Sequence, residues 1–265
     1  MKKEFTLVIV SILLSSLSFA QTTIQPKQID YSNEGVIYNK ELAIDLRIHT
    51  NNGFALAANF GQIKTYYKTH YYHFEIGAVR HPKEHRQSFD PSGGFSRTSR
   101  SFMFGKQNSL FVLRAGLGRK RYFSEKAKQK GLALGITYEI GPAIGILKPY
   151  YLEIINEGNG TGDPFLVSTR YTEETASTFL DVTRIYGASG FTKGFSELSL
   201  VPGIQFKASV HFDWGAFDEF VKAMEAGIMG DIFIREMPIM ADVEFAENRP
   251  YFINLFLTLQ LGKRW

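Results

Sequence analysis

Residues 251–265 read YFINLFLTLQLGKRW, and this stretch decides the fold. Tyr251, Ile253, Leu255, Leu257, Leu259 and Leu261 share one parity, while Phe252, Asn254, Phe256, Thr258 and Gln260 share the other. Successive side chains of a strand point to opposite faces, so the segment is a ribbon with one wholly apolar and one mixed face. An ordinary edge strand would satisfy that pattern. So would the last strand of a barrel, and the rest of the chain decides between them.

The same alternation recurs upstream. Leu42, Ile44, Leu46 and Ile48 alternate with Ala43, Asp45, Arg47 and His49, and Asn51-Asn52-Gly53 then supplies a hairpin turn. Residues 54–61, 71–78, 111–118, 132–141, 204–213 and 224–234 repeat the pattern. With 251–261 these are eight expected strands, each close to the roughly 9–11 residues with which a tilted strand crosses a bilayer. Opposite the apolar face stand Asp45, Arg47, Glu75, Arg114, Glu139, Lys207, Asp213, Glu225 and Asp231. Two closed architectures fit. A soluble lipocalin-like barrel turns its apolar face inward, whereas a membrane barrel turns it to lipid and encloses the charges.

The connections favour the second. If both ends of an eight-stranded barrel lie on the inner side, the inner connections are 62–68, 119–130 and 215–223. The outer ones are 51–53, 81–105, 147–202 and 236–250. Three of the four outer connections are long, the asymmetry expected of transmembrane barrels. The expectation is an all-β, eight-stranded antiparallel transmembrane barrel over residues 40–265, with long extracellular loops and a lumen closed by the charge network. Small eight-stranded barrels have room inside for side chains and little else.

The amino-terminus agrees with export. Lys2 and Lys3 precede an apolar run from Phe5 to Leu17, and Ser18-Phe19-Ala20 places small residues where a signal peptidase reads. A signal peptide over 1–20, cleavage after Ala20 and a periplasmic segment over 21–39 are expected. Loss of Lys2, Lys3 and Glu4 with that peptide takes the formal net charge from +4 to +3, too mild to indicate nucleic acid. The chain has no Cys, so neither a disulfide nor lipidation is available. On this reading Tyr251–Leu261 is the strand that barrel-assembly machinery recognises, and Trp265 is its interfacial aromatic.

Other motifs carry less. Glu84 lies between His81 and His85, but Pro82 breaks the helix that would align the imidazoles, so a polar loop is expected, not a metal site. Arg86, Arg97 and Arg100 are positioned to meet lipopolysaccharide phosphates if that loop faces outward. The glycine-rich stretch 158–163 lacks the Lys-Ser/Thr of a phosphate loop and reads as a loop tip. Lys120, Arg121, Lys126, Lys128 and Lys130 are expected in an inner turn, solvated or facing phosphates. His49, His73 and His211 fall on different strands and no Ser sits in a nucleophile elbow, so no catalytic centre and no cofactor are expected. Glu75 and Glu139 are close enough to approach each other, next to Arg47 or Arg114.

The stretches His81-Pro82-Lys83-Glu84, Gly105-Lys106-Gln107-Asn108, Lys148-Pro149-Tyr150-Tyr151-Leu152 and Leu257–Trp265 resemble outer-membrane β-barrels of the Bacteroidota. The chain looks most like a group of these to which no role is attached, with PorT-like barrels as a more distant comparison. PorT-like barrels are accessory to protein secretion, but no PorT functional residue matches a position here. The resemblance implies an outer-membrane barrel and carries no role over; the expected role is structural or accessory, that of an assembly, secretion or envelope-stabilising partner acting through loops 81–105 and 147–202. Its expected partners are outer-membrane lipid and lipopolysaccharide, the barrel-assembly machinery during insertion, and an envelope protein. A small pore and a rim-active lipid enzyme are the alternatives.

Overall fold

In the computed structural model, residues 38–50, 53–88, 99–123, 131–156, 164–216, 218–241 and 248–265 are described. The expected signal peptide, its cleavage point and nearly all of segment 21–39 lie outside them. So do Asn51, Asn52, Arg97, Lys126, Lys128, Lys130 and the stretch 158–163.

The strands are β1 (Lys40–His49), β2 (Phe54–Thr65), β3 (Lys68–Val79), the short β4 (Arg86–Gln87) and β5 (Phe102–Met103), β6 (Asn108–Tyr122), β7 (Ala133–Pro149), β8 (Tyr151–Asn156), β9 (Phe165–Arg170), β10 (Ile185–Ala188), β11 (Ser199–Asp213), β12 (Phe220–Phe233) and β13 (Tyr251–Arg264). Eight of them close into a barrel in the order β1-β13-β12-β11-β7-β6-β3-β2. Every neighbouring pair is antiparallel, and the last strand returns to pair with the first. Closure leaves the sheet no free edge. The expected fold class is observed.

Register keeps each parity on one face. Thr258 pairs with Arg47 on one side and Glu225 on the other, whereas Leu257 pairs with Ile48 and Ala226. Leu257 is accordingly 42% exposed on the outer wall and Thr258 is 0% exposed inside. The outer wall carries the apolar residues of every strand, among them Ile44, Leu56, Phe74, Leu117, Ile140, Ile204, Ile228 and Leu255. That arrangement inverts a soluble barrel, and it suits surrounding hydrocarbon. No helix among the described residues is long and apolar enough to cross a membrane.

The two barrel ends differ. Lys40 N donates to Trp265 O at 2.9 Å, so start and finish of the barrel meet at one end, which also bears the connections at 66–67, 123–132 and 214–219. The opposite end bears the long ones. There β8, β9 and β10 form a separate sheet in the order β10-β8-β9, β4 pairs with β5, and a helical turn α1 (Ala176–Phe179) lies between β9 and β10.

Two expectations need correction. β6 runs on to Tyr122, so Arg119, Lys120 and Arg121 belong to a strand and not to the inner turn. β13 likewise runs through Gly262 and Lys263 to Arg264, so nothing separates it from Trp265. In both cases inter-strand pairing continues past the last apolar residue, where alternation of hydrophobicity stops marking the strand.

Candidate functional site

The polar parity of the barrel strands meets inside. Arg114 holds Asp231 in a two-pronged pair, Nε to Oδ1 and Nη2 to Oδ2, both at 2.7 Å, and its Nη1 bonds Glu75. The other carboxylate oxygen of Glu75 accepts from Arg47 Nη1, while Arg47 Nε donates to Thr258 Oγ1 at 2.9 Å. Planar guanidinium groups suit such forked contacts, and each added partner offsets the cost of removing the charge from water. His73 Nε2 lies 3.2 Å from Glu75 and 3.5 Å from Glu139, so these two carboxylates do approach, with an imidazole between them. Glu139 also takes Lys207 Nζ at 2.9 Å and Gln205 Nε2 at 2.8 Å.

Toward the inner end the chain of contacts continues. Glu225 forms an ion pair with Lys207 Nζ at 3.7 Å and meets His211 Nδ1 at 3.0 Å. Asp213 accepts from Tyr122 OH at 2.7 Å and from Arg264 Nη2 at 2.8 Å. Glu41 then binds both Arg264 Nε at 2.8 Å and Lys120 Nζ at 2.9 Å. Asp45 is held by Asn59 and Gln260, each at 2.8 Å. All nine charges expected in the lumen are there and buried, and they form one connected network.

Glu41, Lys120 and Arg264 are members that sequence reasoning missed. Parity was the available signal, since Lys120 shares that of Arg114 and Arg264 that of Thr258. Tyr71 also crosses the lumen, its ring lying where a Cβ on Gly118 would stand 2.1 Å from Cζ. Only glycine fits beneath that ring.

Above the network the lumen changes character. Leu110, Val112, Leu147, Val201, Phe233 and Phe252 form an apolar layer at the outer mouth, and Met237 and Ile239 descend into it from the connection after β12. A Cβ on Gly145 would sit 2.6 Å from Met237 Cε, so glycine makes room for that side chain. The descending segment is pinned by Ile239 O, which accepts from Gln107 N at 2.8 Å and Asn108 N at 3.1 Å. Asn248 Oδ1 accepts from Ile239 N and Met240 N. Between this layer and the network, both His49 nitrogens and the Asn254 amide have no hydrogen-bond partner among the described residues.

The two long loops expected to act at the surface form one folded cap. Phe102 from the first packs with Leu152, Ile154, Phe179 and Ile185 of the second. His81, Glu84 and His85 do not assemble a metal site among the described residues. Instead Glu84 binds Lys106 Nζ at 2.7 Å, and burial pushes the Lys106 amine below its usual range while Glu84 opposes that shift. Arg86 and Arg100 are exposed on the cap, whereas Arg121 faces outward at the far end of the barrel. His49, His73 and His211 are enclosed in the lumen, away from either rim surface.

No family model matches the chain, and no curated protein matches it. Among solved structures it is similar to the N-terminal β-barrel domain of Pseudomonas aeruginosa OprF, with a TM-score of 0.33 and 9% identity, over 86% of this chain and 98% of that one.

Proposed function

We propose that the chain is an outer-membrane barrel protein that serves as an anchored scaffold. In this reading it is exported, inserted with the help of the barrel-assembly machinery, and holds its cap at the cell surface for an envelope or secretion partner. The observation that carries the reading is the contrast between the two halves of the molecule: the lumen holds a buried charge network and an apolar layer, while the cap has its own core and exposed edges. The exposed side chains of Phe165 and Val167 on the outer strand of the cap sheet and the exposed Arg86 and Arg100 offer apolar and phosphate-binding contacts.

The pore alternative is opposed by the charge network and the apolar layer, which lie in series along the lumen. The enzyme alternative is opposed by the enclosure of His49, His73 and His211 in the lumen, which keeps these three imidazoles from a lipid substrate. Purified protein in planar bilayers is expected to give no single-channel conductance, and affinity purification from native membranes is expected to retain a partner lost when 150–198, the part between β7 and β11, is replaced by a short turn. Discrete conductance steps would overturn the scaffold reading in favour of a pore.

A further inference from the structure

The outer wall at the inner end carries a block of positive charge that the lumen network does not use. Lys68 on β3 stands directly opposite Arg121 on β6, and His70 opposite Arg119. All four side chains are exposed and point away from the lumen. Lys68 and Arg121 set like charges directly across a pair of strands, which destabilises it, so the arrangement calls for a compensating anion. No ion pair among the described residues involves any of the four, and the exposed Glu219 at the same end is already paired with Lys263 at 3.0 Å.

The next outward pairs on the same two strands are Tyr72 with Leu117, Phe74 with Ala115 and Ile76 with Leu113. The wall thus passes from charge through an aromatic to hydrocarbon along one ribbon. Above the block this wall is concave. A groove of about 620 Å³ runs over β2, β3, β6 and β7, lined by Leu56, Ala58, Phe74, Leu113, Ala115 and Pro142. Ala58 and Ala115 flank Phe74 in register and create the depression. From the His70–Arg119 pair to the Phe74–Ala115 pair is four residues, or about 13 Å at roughly 3.3 Å per residue.

We infer that this face is a binding site for one anionic phospholipid of the inner leaflet, its phosphate on Lys68, His70, Arg119 and Arg121 and an acyl chain in the groove. The inference rests on the membrane-barrel reading and on the inner placement of the end where β1 begins. Charge and groove select the occupant together: a soluble anion would leave the groove empty, and a neutral lipid would leave the block uncompensated. Of the expected basic turn, Arg121 belongs to this site, whereas Lys120 points into the lumen.

The test uses the full barrel refolded in phosphatidylcholine vesicles with trace spin-labelled phosphatidylglycerol or spin-labelled phosphatidylcholine. The fraction of each label immobilised by the protein is read from its spectrum. The wild type is expected to favour the anionic label about fivefold, the gain of roughly one basic side chain at an anionic surface. The variant K68Q/R119Q/R121Q is expected to lose that preference, and Ala115→Leu, which fills the groove while keeping the charges, to weaken it. Heat-modifiable migration on gels reports folding of each variant. If the triple variant fails to fold, Ala115→Leu and Arg121→Gln alone decide. Equal immobilisation of both labels by a folded wild type overturns the lipid site and leaves the barrel reading standing. Millimolar inorganic phosphate that abolishes the preference overturns the lipid in favour of a free anion. A wild type that stays water-soluble and ignores the vesicles overturns both readings.

Discussion

Leu257 and Thr258 are adjacent in the chain and face different worlds, so they isolate the meaning of parity. Leu257→Arg places a cation on the outer wall, and near a bilayer midplane this should cost about 2–4 kcal/mol of folding free energy in urea titrations with vesicles. Thr258→Val keeps the shape but removes the acceptor of Arg47 Nε at 2.9 Å, a loss of about 1–3 kcal/mol because a buried donor is left without a partner. An arginine at 257 that leaves stability unchanged would contradict an outward apolar wall in lipid. Glu75 tests the interior more severely, since Arg47, Arg114 and His73 all contact it. Glu75→Gln leaves two enclosed guanidiniums short of a counter-charge and should cost about 3–5 kcal/mol in the same titration. A neutral result would mean that water enters the lumen and screens the network. Parity put the nine charges on one face, and the long connections at one end then turned that face inward. Glu41, Lys120 and Arg264 share that parity but lie outside the apolar runs, Glu41 before Leu42 and the other two past Leu117 and Leu261, where the alternation no longer marks the strand.

At the scale of elements, the barrel strands were readable because an inside-out barrel imposes one period of two on every strand. The connection after β12 had no such constraint. Its run Met237-Pro238-Ile239-Met240 looked like part of a surface loop, yet Met237, Ile239 and Met240 are buried. The missed signal was composition: four apolar residues in succession seldom stay in water. Which cavity receives them depends on Gly145 of β7 and on backbone bonds to Gln107 and Asn108, contacts no local pattern encodes. Truncating Ile239 to Ala should cost about 2–5 kcal/mol, as for other large-to-small changes in a packed core, and should expose the segment to protease added outside intact vesicles. Unchanged protease resistance would mean that the backbone bonds alone hold the segment and that the apolar layer is incidental.

For the molecule as a whole, barrel and cap draw on different sources of stability and should fail separately. The barrel depends on closure: β13 pairs with β1 over nine residues from Arg264 to Phe256 and with β12 along its other edge. Deleting Tyr251–Trp265 removes both ladders at once, and two freed edges in lipid would each carry unsatisfied backbone groups, so the truncated chain should show no heat-modifiable folded band in vesicles. The cap depends on its small apolar core. Phe179→Asp puts a charge at the centre of that core, against Phe102, Leu152 and Ile185, and should make the cap sensitive to limited proteolysis while the heat-modifiable barrel band persists. The pair of outcomes discriminates between a scaffold carrying an independent cap and a single cooperative body. If the Asp variant also loses the barrel band, the cap is part of the closure itself, and a partner that binds the cap would then act directly on barrel stability.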